Sequence, residues 1–142
     1  MPGAPFTESA LGIDLSQRIA GSTTVVASPT DNTETIIASV TTPGGLSYAT
    51  GCFVVAFAAF TIGTSGVSGN LKIRQTSVTG TTITATGAVN AGVWAATQLT
   101  ELVAWGLDTA PGDSQVYKAT LTVASGAAAS TVSAVFLGVF AV

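Results

Sequence analysis

Tyr117-Lys118-Ala119-Thr120-Leu121-Thr122-Val123 decides the fold. Apolar residues at 117, 119, 121 and 123 alternate with Lys118, Thr120 and Thr122. Successive side chains on a strand point to opposite faces, so this alternation is the mark of a half-buried β-strand. The stretch Leu71-Lys72-Ile73-Arg74-Gln75 repeats the pattern, with Lys72 and Arg74 on the solvent side.

Working outward, turn signals separate further segments rich in Val, Ile, Thr and Phe. The segments run Thr23–Ala27, Thr33–Thr41, Cys52–Ile62, Asn70–Ser77, Thr81–Thr86, Gln98–Leu107, Ser114–Ala124 and Ser130–Val142. Between them lie Pro, Gly, Asn and Asp clusters such as Ser28-Pro29-Thr30-Asp31-Asn32 and Ala110-Pro111-Gly112-Asp113. Short strands at even spacing predict an antiparallel sandwich or barrel. Residues 1–21 hold Pro2 and Pro5 and no strong period, and read as a short N-terminal arm. Residues 22–142 read as one β domain.

Cys52–Ile62 and Ser130–Val142 differ from the half-buried strands. Phe53, Val55 and Phe57 lie on one face of the first, and Val54, Ala56, Ala58 and Phe60 on the other. In the last strand, Val135, Leu137, Val139 and Ala141 oppose Ala134, Phe136, Phe140 and Val142. A strand that is apolar on both faces must be covered on both, and a second subunit is the natural cover in a two-layer domain. Val54, Ala56, Ala58, Phe60, Val135, Leu137, Val139 and Ala141 are the expected subunit-facing set.

Composition points the same way. Only 8% of the 142 residues are charged, against about 25% in ordinary domains. Mean hydropathy is +0.59. Such a surface is either built of Thr, Ser, Gly and Ala or covered by partners. The four basic residues, Arg18, Lys72, Arg74 and Lys118, are too few for a nucleic-acid footprint or a polybasic lipid contact. Met1–Phe6 has neither a basic nor an apolar signal region, so no secretory signal is expected. The longest apolar run falls far short of the ~20 residues of a membrane helix. Two Trp and two Tyr are too few for the aromatic girdles of a membrane barrel.

Catalytic chemistry finds little footing. The sequence has no histidine and one cysteine, Cys52, which excludes His-based triads, an internal disulfide and a CxxC metal site. Cys52 heads an apolar run and reads as a buried, inert thiol. Asp108 and Asp113 bracket a Pro-Gly turn and read as turn residues rather than a catalytic pair. Asp31 and Glu34 do not match a calcium loop and read as an Asp-led turn before a strand. Trp105, inside an apolar strand, is expected in the core. Trp94, in a loop-like stretch, is the expected exposed contact. No enzymatic activity, cofactor or metal is expected.

Three stretches carry a resemblance: Thr24–Ala27 with Thr33–Val40, Asn70–Arg74 before a Thr-Gly hairpin, and Tyr117–Val123 before a hydrophobic last strand. Over residues 22–142 the strand order and style resemble small jelly-roll structural proteins of tailed-phage virions. These include capsid decoration (cement) proteins and tumour-necrosis-factor-like fibre heads. The resemblance is one of pattern and carries no invariant motif. It implies an eight-stranded antiparallel jelly-roll sandwich with a short N-terminal arm. It implies a homo-oligomer, by preference a trimer, that binds a major capsid protein or another virion protein at the capsid surface. The alternative is the receptor-binding head of a tail or head fibre. Such a head normally follows a shaft, and a chain complete from Met1 carries none, which favours decoration. The third reading is a non-viral surface or carbohydrate-binding jelly roll.

Overall fold

The computed structural model describes residues 18–30, 32–44, 51–63, 69–85, 99–123 and 130–142. Eight strands are present: β1 (Arg18–Ser22), β2 (Thr35–Thr41), β3 (Cys52–Thr61), β4 (Gly69–Gln75), β5 (Thr82–Ala85), β6 (Leu99–Asp108), β7 (Val116–Val123) and β8 (Thr131–Ala141). They form two four-stranded sheets, ordered β1-β8-β3-β6 and β2-β7-β4-β5. All pairings are antiparallel, and β1 pairs with β8, β2 with β7, β3 with β6 and β4 with β5. One long hairpin, rolled so that its two layers stack, gives this pairing; it is the jelly roll. No helix occurs among the described residues.

β2 to β8 form where alternation and β-branched content predict strands. The first strand differs. Thr23–Ala27 is not a strand, and Arg18–Ser22 is. Arg18-Ile19-Ala20-Gly21-Ser22 has weak intrinsic strand preference, so pairing with β8 makes it one. Part of the stretch read as an arm therefore belongs to the sheet, and residues 1–17 lie outside the described residues.

Between the sheets sit Ile37, Val54, Phe60, Ile62, Leu71, Ile73, Tyr117, Leu121, Val123, Leu137 and Val139, all fully buried. Two bulges keep this core in phase. In β2 the register shifts between Ile36 and Ala38. In β8 it shifts opposite Ala59 and Phe60, so that Val132 and Val135, three apart, are both buried.

Candidate functional site

The structure assigns the faces of β3 and β8 the opposite way from the sequence expectation. Val54, Ala56, Ala58, Phe60, Val135, Leu137 and Val139 point into the core of their own chain. Ala141 lies half-buried at the end of β8, opposite the buried Cys52. The core residues among them are already covered by the second sheet, so the outward face of these strands is the other one. Trp94 lies outside the described residues.

That other face is the outer surface of the β1-β8-β3-β6 sheet. Its register groups side chains into rows: Leu107, Phe53 and Phe140; then Trp105, Val55 and Gly138; then Val103, Phe57 and Phe136. Trp105 is 61% exposed, Val103 55%, Leu107 50% and Leu99 54%. Phe53, Val55, Phe57 and Phe136 are half-buried. The Phe53 and Trp105 rings meet at a centroid distance of 5.9 Å. Gly138 leaves room for the rings of Phe136 and Phe140, which would clash with any Cβ there at 2.6 Å and 3.1 Å.

Trp105 is therefore not a core residue, and β6 supplies the reason. Its buried inward positions are Leu102, Ala104, Gly106 and Asp108, and two of them, Ala104 and Gly106, are small. A Cβ on Gly106 would lie 3.0 Å from both Ile83 and Thr84, because β5 packs close beneath it. At Gly106 no side chain fits inward, and its neighbours Trp105 and Leu107 take the outer face.

Among the described residues, two charged side chains lie on this face, at opposite corners. Arg18, on edge strand β1, pairs in register with Phe140, and its side chain lies over Gly21. Glu101, on edge strand β6, pairs with Ala59.

The outer face of the second sheet is polar. Lys72, Arg74, Lys118, Thr120, Thr122 and Ser39 share it in register. Glu34 organises it: its carboxylate accepts hydrogen bonds from Arg74 Nη2 (2.9 Å) and Nε and from Thr120 Oγ1 (2.6 Å), with Lys72 Nζ at 3.4 Å. The bonds from Arg74, opposed by burial, together with the one from Thr120 and the nearby Lys72 charge, hold its pKa down to about 2. The turn reading of Glu34 missed this ion pair because its partners are distant in sequence.

A second polar cluster sits inside one end of the sandwich. Asp108 Oδ2 accepts from Tyr117 OH (2.7 Å) and Gln75 Nε2 (2.6 Å), and Oδ1 accepts from the Ala110 amide (3.1 Å). The last bond is the turn role read from sequence; the first two tie β6 to β7 and β4. Burial, the hydrogen bond to Asp108 and its charge push the Tyr117 phenol well above its ordinary pKa. Burial and the Asp108 charge raise the Cys52 thiol as well, which suppresses the nucleophilic thiolate. No cluster of three metal-ligating side chains occurs among the described residues.

No protein-family model and no curated protein matches the chain. Solved structures similar to it include one titled as infectious bursal disease virus, Gt strain. It has a TM-score of 0.45 and 15% identity, over 91% of this chain and 32% of that one. The Gx strain gives a TM-score of 0.39 and 13% identity, over 86% and 30%. A β-1,3-glucan-binding CBM6 from Bacillus halodurans gives 0.35 and 13%, over 84% and 87%. The chain spans about a third of the length of the two viral chains.

Proposed function

We propose that this chain is a non-enzymatic structural protein of a virus particle, a capsid decoration protein that assembles with copies of itself and stabilises the shell. The observation that carries the reading is the exposed apolar sheet face of Phe53, Val55, Phe57, Val103, Trp105 and Leu107. A contiguous patch of this kind on a soluble domain marks a protein contact. The jelly-roll topology and the pattern resemblance to virion proteins support the location on a particle. A sugar platform would set hydrogen-bonding groups around its aromatic ring. On the sheet Trp105 is flanked instead by Val55, Phe53, Val103 and Leu107, all apolar, which disfavours the carbohydrate-binding reading.

Sedimentation at micromolar concentration tests the contact: the wild type runs as a multimer and Trp105→Asp as a folded monomer. A wild-type monomer overturns the self-association. Particles lacking the protein test the role. They are expected to release their genome at lower temperature while still adsorbing to cells. Unchanged heat stability with lost adsorption would instead make the chain a receptor-binding head.

A further inference from the structure

We infer that the apolar face is occupied by a second copy of this chain, set so that Arg18 of each copy pairs with Glu101 of the other. The inference rests on the self-association proposed above and adds the register of the contact.

Exposure argues for a protein partner. Trp105, Val103, Leu107 and Leu99 are each half exposed or more on this one face, beside the half-buried Phe53, Val55, Phe57 and Phe136, a contiguous patch of the kind that marks a protein contact.

Charge argues for a copy. Arg18 and Glu101 are the charged side chains of the face among the described residues, and they have opposite signs. They cannot neutralise each other within one chain. They sit on the two edge strands, three strand spacings apart. Along β3 they are separated by the stretch from Phe53, in the Arg18 row, to Ala59, opposite Glu101. At ~4.8 Å between strands and ~3.3 Å per residue, the separation exceeds about 20 Å. Covering the face removes water from both, and a covered charge without a partner is strongly destabilising. A foreign partner would need an acid and a base at matching corners. A second copy supplies both at once, because an isologous contact that brings Arg18 over Glu101 also brings Glu101 over Arg18. The two-fold axis that does this lies in the plane of the interface and crosses the two sets of strands steeply. That is nearer to the orthogonal than to the aligned mode of sheet packing.

Charge reversal tests the register. Arg18→Glu and Glu101→Arg are each expected to raise the dissociation constant by roughly tenfold or more, through like charges at close range. The double variant Arg18→Glu/Glu101→Arg is expected to return to within about threefold of wild type. Both side chains are exposed, so dilute monomer should melt as wild type does. Should a reversal fail to fold, the neutral cycle of Arg18→Gln, Glu101→Gln and their combination measures the same coupling. A wild-type multimer that Trp105→Asp dissolves, with no coupling between Arg18 and Glu101, overturns this register and leaves the proposed contact standing. A wild-type monomer overturns both.

Discussion

Val135 and Trp105 are large apolar residues on long strands, yet replacing them has opposite consequences. Val135→Asp or Leu137→Asp buries an unpaired carboxylate inside the chain's own core. Either should lower unfolding stability by about 3 kcal/mol or more, measured in denaturant. Trp105→Asp should leave the melting of dilute monomer near that of wild type and remove association. Glu34 carries the acid response. Its folded pKa of about 2 lies below its ordinary 4.5, so its contribution is complete above pH 4.5 and fades as pH falls towards 2. Glu34→Gln should therefore cost on the order of 1–2 kcal/mol at neutral pH and almost nothing near pH 2, read from denaturant melts across that window. Alternation gave two sets of residues on β3 and β8, but with both sets apolar it held no information about which set turns inward. For β6, side-chain size pointed the wrong way, because the constraint on Gly106 comes from Ile83 and Thr84 on another strand.

At the scale of elements, β2 to β8 were legible because alternating or continuously apolar runs rich in β-branched and aromatic residues are bounded there by turn residues, whereas β1 exists through its pairing with β8. Turns store strain that sequence does not advertise. Thr76, between β4 and β5, has φ 67°, a left-handed conformation that a β-branched residue strongly resists. Val116 O accepts from its amide and holds it there. Thr76→Asn relieves the strain and should raise stability by about 0.5–1 kcal/mol in thermal melts. The Asp108 cluster joins three strands, and Tyr117→Phe takes one donor from that buried carboxylate. It should cost about 1–2 kcal/mol. Tyr117 also makes the fold sensitive to alkali, since its folded pKa lies above its ordinary value of 10. Its contribution is complete below pH 10 and declines as the unfolded phenol ionises above it, a decline that Tyr117→Phe should blunt.

At the scale of the whole molecule, Lys72, Arg74, Lys118 and Glu34 are gathered on one broad surface, and the other is hydrocarbon apart from Arg18 and Glu101 at its corners. The rolled pairing of first strand with last creates both surfaces at once, since a sandwich has two outer sides and its core uses neither. The proposed assembly hides the apolar side, so the melting temperature should climb with protein concentration in calorimetry, by linkage of folding to association. Diluted below the dissociation constant, the freed subunit is a plate with one oily side, and a plate of that kind is a surfactant. It should collect at an air–water boundary with β6 towards the air and lower the tension of a pendant drop. Trp105→Asp should stay in the bulk and leave the drop close to the tension of buffer.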